Sequence, residues 1–428
     1  MTISKDRKKK KNYQKKIEEN STYHYGNEFS IINLIKKIFR KIVSYYKNNK
    51  IAFYYFYLSV LIRFVFHFMP ITSNGDLDQF KYHQMDLFYH GIGYWSENWS
   101  FAMPYPKLIY VIFYPFFVLT DLLGLQFPVR NVIRKALMAV AVELINSLNV
   151  FVFYEFAKRF FKSKVITHVT VLTFIFSPLM FIALAQWGGH YLIGDFLFNI
   201  ALCCSMFYIF NKPVINNKFT LFLTVLAMAL SINTHLKELV YYIYFMVFLF
   251  LWFIFDGSVR KKIFPVFISL FFVGALSLFL YWIPAHNVEL LYLELTNNLM
   301  PNTKILFAPK FLWEYTRLGF SFSIIFFLYV IIRYIIEGNK QPKIIRVYMF
   351  LAFLFLLLFF YVNDPLGYYA MHFIVPVITG YAFSKMNFKY AYILLALLFI
   401  FFDSRFLLIM YQQNGVHGNR IYSSHRYK

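Results

Sequence analysis

Residues 107–124 read KLIYVIFYPFFVLTDLLG, and whether this apolar stretch crosses a membrane decides the sidedness of everything after it. It is one of twelve apolar segments, near 51–70, 107–124, 136–157, 164–185, 191–210, 219–232, 239–255, 263–283, 318–336, 346–362, 368–384 and 390–410. Most approach the roughly 20 residues that an α-helix needs to cross hydrocarbon. Suppose all twelve cross and the basic N-terminal tail lies inside. Lys158, Arg159, Lys162 and Lys164, then Arg260, Lys261 and Lys262, then Lys340, Lys343 and Arg346 would all fall outside. That reverses the positive-inside rule. Removing one crossing ahead of residue 157 returns every one of these clusters to the cytoplasm. Segment 107–124 is the one to remove: Pro115 interrupts it, Pro104, Pro106 and Lys107 open it, and Asp121 lies near its end. Those features suit an interfacial or re-entrant helix on the outer side.

The sequence therefore predicts an all-α, polytopic membrane protein of about eleven transmembrane helices with a cytoplasmic N-terminus. Residues 1–50 read as a basic cytoplasmic tail and an interfacial helix, 51–410 as the transmembrane domain with its first outer loop at 71–135, and 411–428 as a C-terminal tail. Composition agrees: 60% of the 428 residues are hydrophobic and 15% charged, too apolar for a soluble enzyme of this length. The formal charge of +23 would suggest nucleic acid in a soluble protein. Here Lys and Arg gather in the tail and short loops, as anchoring by anionic lipid headgroups predicts, and a nucleic-acid partner is not expected.

Residues 1–16, MTISKDRKKKKNYQKK, are followed by no apolar core with a small-residue cleavage site, so they do not read as a secretory signal. Over residues 31–43, Ile31, Leu34, Ile35, Ile38 and Ile42 share one helical face while Lys36, Lys37, Arg40 and Lys41 lie elsewhere. That is the pattern of a helix lying on a membrane surface. Cys203 and Cys204 are adjacent, a spacing that seldom forms a bond without strain, so no disulfide framework is implied.

This topology collects Asp76, Asp78, Lys81, His83, Asp86, Lys107, Arg134, Glu143, Gln186, His190, Asp195, His235, Lys237, Glu238, Arg317 and Asp364 on the outer face. Carboxylates at one spot and cations at others are what an enzyme needs to deprotonate an acceptor hydroxyl while neutralising a phosphate leaving group. Glu143 and Asp195 lie within apolar segments, where a charge must find partners. The chain has no P-loop, no Gly-rich dinucleotide turn, no His-Glu-x-x-His and no Cys-x-x-Cys. A transferase built this way would take its activated group from a lipid carrier dissolved in the bilayer.

The first outer loop, Gly75-Asp76-Leu77-Asp78-Gln79-Phe80-Lys81-Tyr82-His83 followed by Tyr105-Pro106-Lys107-Leu108, resembles that of the GT-C superfamily of polyprenyl-phosphate-sugar glycosyltransferases. It is most similar to the dolichyl-phosphate-glucose and -mannose enzymes. Their loop carries Gly-Asp-aromatic-Glu-Ala-x-x-His-Trp and then Tyr-Pro-Pro-Leu, so Leu77, Tyr82 and Lys107 depart from the pattern. Arg134 with Glu143 is similar to the Arg and acidic residue that begin the family's second span. Ser177-Pro178-Leu179, Gln186-Trp187-Gly188-Gly189-His190 and Gly194-Asp195 resemble its later segments, and Thr234-His235-Leu236-Lys237-Glu238 sits where members carry a Lys at the outer end of a span.

The resemblance covers about residues 55–240. It implies that Asp76 is the general base of a single inverting displacement at the sugar's anomeric carbon, with Asp78 as its orienting neighbour. It implies further that Lys237, His235, Arg134 and Arg317 serve the donor phosphate, and that Trp187, His190 and Lys107 contact sugar or acceptor. Arg134 is equally suited to pairing with a carboxylate, and an Asp at position 76 also suits the N-cap of a following helix. The implied partners are a polyprenyl-phosphate hexose donor, mannose or glucose, a glycan, glycolipid or protein acceptor, and membrane lipid. No cofactor is implied; Lys and Arg suffice on charge grounds, although Asp76, Asp78 and Asp86 are chemically able to bind a divalent cation. The alternatives are a glycan polymerase or ligase, which would read through Arg and His in large late outer loops, and a lipid-linked-sugar flippase or transporter. The latter would need ionisable residues down the middle of several helices.

Overall fold

The computed structural model describes residues 31–67, 89, 107–176, 190–234, 236–279, 323–337, 340–361 and 373–385. Among them every regular element is helical. In chain order these are α1 (Ile31–Asn48), α2 (Lys50–His67), α3 (Lys107–Leu122), α4 (Val129–Ser147), α5 (Asn149–Phe161), α6 (Lys164–Ile175) and α7 (His190–Ile209). There follow α8 (Asn217–Ile232), α9 (Leu236–Phe255), α10 (Arg260–Ser277), α11 (Ser323–Glu337), α12 (Lys343–Tyr361) and α13 (Val375–Lys385). Among the described residues three runs are long and apolar enough to cross a membrane: Val129–Phe161, Leu192–Ile209 and Glu238–Phe255. Val111–Leu122, Lys164–Ile175 and Asn217–Ile232 are apolar but shorter. The described residues are thus all helical, with runs whose length and composition suit a membrane protein. The C-terminal tail, 411–428, lies outside the described residues.

The chain divides into two compact units, Met1–Tyr54 and Tyr55–Lys428. In the first, α1 and α2 are separated by Asn49 alone. Asn49 is buried, and its side-chain amide donates to the Tyr45 carbonyl at 3.1 Å, satisfying one of the carbonyls that the end of α1 leaves open. Its own carbonyl accepts from Ala52 N–H at 2.9 Å and starts the next turn. In a straight helix residues seven apart stand about 10.5 Å apart along the axis. The rings of Tyr46 and Phe53 are centred 4.9 Å apart, so the chain bends at Asn49.

In the second unit, aromatic and hydroxyl contacts fix helix directions. Phe56 stacks on Phe151 at 5.3 Å, and Ser59 Oγ donates to Ser147 Oγ at 3.1 Å. Position rises on α2 as it falls through α5 and α4, so α2 runs antiparallel to them. Tyr55 hydroxyl pairs with His168 Nδ1 at 2.8 Å, while Arg63 lies over Phe174 at 5.3 Å, so α2 runs parallel to α6. The α5–α6 hairpin closes through Lys162, which adopts φ 53°, and Ser163, whose side chain accepts from Ile166 N–H as an N-cap.

The same logic gathers the short turns at one end. Arg159 Nη1 donates to the Pro213 carbonyl at 2.8 Å and Lys212 Nζ to the Arg159 carbonyl at 2.6 Å, joining the α5–α6 and α7–α8 turns. Lys343 Nζ pairs with Asp256 Oδ2 at 2.7 Å, joining the α9–α10 and α11–α12 turns. Lys262 lies over Tyr208 at 5.5 Å. Tyr381 near the end of α13 bonds Gln341 and packs on Phe161. Between the ends, Phe153, Phe156, Phe198, Phe245, Phe248 and Tyr348 are fully buried and form the aromatic core. Gly380 lets α13 approach α6: a Cβ there would meet Thr170 Oγ1 and stand 2.9 Å from the Ile166 carbonyl.

Candidate functional site

Arg134 is the one predicted site residue whose side chain is described, and it is held tightly. Near the start of α4 it is 1% exposed. Its Nε donates to Thr120 Oγ1 at 2.7 Å, and Nη2 donates to Asp121 Oδ1 at 2.6 Å and to the Phe117 carbonyl at 3.4 Å. The guanidinium lies 4.2 Å over the Phe117 ring and 5.4 Å from that of Tyr89. Arg130, one turn earlier, also reaches Asp121, at 3.3 Å. The pairing partner of Arg134 is thus a carboxylate of the helix 107–122. Burial works against the Asp121 charge, but the Tyr89 hydrogen bond and the two arginines outweigh it and hold the carboxyl below its usual range. Reciprocally, donating to Asp121 pushes the Tyr89 phenol up.

A second group forms where α7 meets the α8–α9 turn. Ser231 Oγ donates to the Gly194 carbonyl at 3.1 Å and to Glu238 Oε2 at 3.3 Å, and Thr234 Oγ1 donates to the Ser231 carbonyl at 2.7 Å. Gly194 makes the approach possible: a Cβ there would meet Thr234 Oγ1 and stand 2.8 Å from Glu238 Cγ. Asp195 and Glu238 are both fully buried here. Through this contact the first residue of α7, His190, and the second of α9, Lys237, come to the same end of the molecule. Lys107 is the first residue of α3. Asp76, Asp78, Trp187, His235 and Arg317 lie outside the described residues.

In a third group, sequence reasoning singled out Glu143 but passed over Arg63. Arg63, in the interior of α2 and 1% exposed, donates through Nε to Ser59 Oγ at 2.9 Å and interacts electrostatically with Glu143, which is 3% exposed on α4. Among the described residues, Arg63 Nη1 and Nη2 and Glu143 Oε2 have no hydrogen-bond partner. The signal that would have found Arg63 is a lone cation inside an apolar run. A chain of amides continues inward: Asn149 donates to Asn146 Oδ1 at 3.1 Å, Asn199 to Asn149 Oδ1 at 2.8 Å, and Cys203 Sγ to Asn199 Oδ1 at 3.5 Å. These buried amides tie α4, α5 and α7 and use one another's capacity, as buried polar groups must. Among the described residues no three of His, Cys, Asp and Glu stand close enough to hold a metal ion.

Compared with known proteins, the chain matches no family model, no curated protein and no solved structure.

Proposed function

We propose that the protein is a multi-pass membrane glycosyltransferase of GT-C type that moves a hexose, mannose or glucose, from a polyprenyl-phosphate carrier to a glycan, glycolipid or protein acceptor. Asp76 is its general base and Asp78 orients that base. Lys237, His235 and Arg317 face the donor phosphate, Arg134 being committed instead to Asp121, and Trp187, His190 and Lys107 serve sugar and acceptor. The observation that carries the reading is the polarity of the bundle. The basic turns at 158–164, 212–218, 256–262 and 340–346 share one end. The α3–α4 turn, the start of α7 and the α8–α9 turn belong to the other. If the basic end faces the cytoplasm, the polar groups of the opposite end face outward.

Segment 107–122 fits an outer helix for a reason of length. Leu148, the one residue between α4 and α5, keeps helical dihedrals, so Val129–Phe161 is a near-continuous rod. At 1.5 Å per residue its 33 residues reach about 50 Å, roughly 20 Å more than the hydrocarbon needs. Lys158, Arg159 and Lys162 anchor the far end, so the surplus falls at Val129 onward, the part against which α3 packs through Thr120 and Asp121. Tyr89, three residues after Asp86 in the first outer loop, is tied to the same hairpin.

The mechanism follows from charge. Asp76 takes the acceptor proton as the hydroxyl attacks the anomeric carbon, the carbon–oxygen bond to phosphate breaks, and the cations stabilise the departing polyprenyl phosphate. Membranes containing the protein, given radiolabelled polyprenyl-phosphate mannose or glucose, should pass label to acceptor, and Asp76→Asn should stop transfer at unchanged protein level. Cysteine labelling that finds residue 76 on the cytoplasmic side ends the reading. One observation favours a second reading, a lipid-linked-sugar flippase: among the described residues buried charged side chains occur on four helices, at Arg63, Arg134, Glu143, Asp195 and Glu238. Movement of label across sealed vesicles without bond cleavage would select it.

A further inference from the structure

The helix α1 divides its surface cleanly in half. At 100° per residue, Ile31, Ile32, Leu34, Ile35, Ile38, Phe39, Ile42, Val43, Tyr45 and Tyr46 occupy one half of the wheel. Asn33, Lys36, Lys37, Arg40, Lys41, Ser44, Lys47 and Asn48 occupy the other. Five of the eight polar positions are cationic and none is acidic. A water-soluble bundle would bury the apolar half, yet Phe39 on it is 65% exposed and Tyr46 is exposed as well. Lys36, Arg40 and Lys47 on the other half are also exposed.

Asn49 shows what the geometry serves. It caps α1 through the Tyr45 carbonyl, and the chain bends there until Phe53 of α2 meets the rings of Tyr45 and Tyr46, at 6.1 and 4.9 Å. A bend at Asn49 that takes α1 out of line with the residues immediately after it suits a helix lying along a bilayer surface while the following chain enters the bilayer. Tyr45 and Tyr46 in the aromatic cluster at the bend are of the residue type that membrane–water interfaces favour. Further cations, Lys5, Arg7 to Lys11, Lys15 and Lys16, precede α1 in the sequence without an apolar segment between.

We propose that α1 is a docking site for acidic phospholipid: its apolar half inserts at the headgroup–acyl boundary, and Lys36, Lys37, Arg40, Lys41 and Lys47 collect anionic headgroups around the first membrane helix. The occupant is the lipid of the leaflet that α2 enters. It is not a soluble phosphate, because the apolar half has no use for one. Charge complementarity is the argument for acidic over neutral lipid. Each cation near an anionic surface strengthens docking about fivefold, so five together amount to about three orders of magnitude. The inference rests on the membrane reading and is independent of glycosyl transfer.

The test uses the full chain in vesicles. Both native cysteines are buried, so a maleimide fluorophore reports on an introduced one, Phe39→Cys, or on Leu61→Cys, at a position 61% exposed on α2. Bromine is placed on the acyl chains of either phosphatidylglycerol or phosphatidylcholine at equal mole fraction in mixed vesicles. At residue 39 the brominated acidic lipid should quench several-fold more than the neutral one. That preference should vanish in K36Q/K37Q/R40Q/K41Q/K47Q and persist when the four lysines become arginine. Equal quenching by both lipids overturns the proposal, since α1 would then dock without selecting headgroups. Quenching by neither overturns it too and points to protein, this chain or a second copy, covering the apolar half. The Leu61 probe separates these failures from that of the membrane reading, because quenching there requires only that α2 lie in lipid.

Discussion

Asp121 of α3 and Arg134 of α4 are joined at 2.6 Å across the turn between their helices, with the guanidinium buried and the carboxylate partly exposed. The arginine also holds Thr120 and the Phe117 carbonyl, so one side chain fastens the last turn of α3 to the start of α4. Replacing it with Met leaves Asp121 and Thr120 without that partner, and about 2–4 kcal/mol of stability should go. Arg134→Lys should recover only part, because a single ammonium cannot hold a hydroxyl and a carboxylate in a planar fork. Thermal unfolding of the purified protein in detergent reads both. A variant as stable as the parent would show that the hairpin is fixed by its apolar contacts alone.

Arg63 and Glu143 invite a different comparison. Both are buried and interact electrostatically without a direct hydrogen bond, so removing one takes from the other an opposite charge that offsets its burial. Arg63→Met and Glu143→Gln should each destabilise strongly, and the double variant should cost less than the sum by about 0.5–3 kcal/mol. Additive losses would mean that the two charges are compensated separately.

What the sequence announced and what it did not divide along a physical line. Helical class, membrane insertion and the oddity of residues 107–124 follow from local composition, where Pro115, Asp121 and the runs of Phe and Leu speak for themselves. Glu143 and Asp195 were legible as buried charges because an acid inside an apolar run has to face the interior of the bundle and find a partner there. The partners were not legible. Ser59 and Ser147 are 88 residues apart, Asn149 and Asn199 are 50 apart, and nothing local marks either pair. Arg134 read equally well as a phosphate ligand or a carboxylate partner until Asp121, thirteen residues earlier, was seen beside it. Asp76 and Asp78, on which the proposed chemistry rests, lie outside the described residues.

Gly194 supplies a prediction about the end that carries His190 and Lys237. A methyl group there collides with Thr234 Oγ1 and stands 2.8 Å from Glu238 Cγ, and both of those side chains are buried. Gly194→Ala should therefore cost about 1–3 kcal/mol through overpacking. Adding Thr234→Ala should return part of the loss and leave the share due to Glu238. If glycosyl transfer depends on this end, activity should fall with Gly194→Ala by more than the loss of folded protein accounts for, a comparison made by normalising transfer to monodisperse protein.

Asp256 gives the pH dependence with a definite sign. It lies in the α9–α10 turn, outside the spans, where Lys343 Nζ stands 2.7 Å from Oδ2, Ser258 Oγ donates to Oδ1 at 2.6 Å and Trp252 Nε1 donates to Oδ2 at 3.2 Å. Partial burial works against the charge. The hydrogen bonds from Lys343, Ser258 and Trp252, with the Lys343 charge, prevail and hold the carboxyl at about 2, against an ordinary 3.8. A folded-state value below the unfolded one means the contribution is complete above the unfolded value and disappears as pH falls through the folded one. The stability difference between the parent and Asp256→Asn should therefore be constant from neutral pH down to about 4, shrink between about 4 and 2, and be absent below. Thermal unfolding of both proteins across that range measures it. A difference that persists below pH 2 would assign the effect of the substitution to geometry in the turn instead of charge.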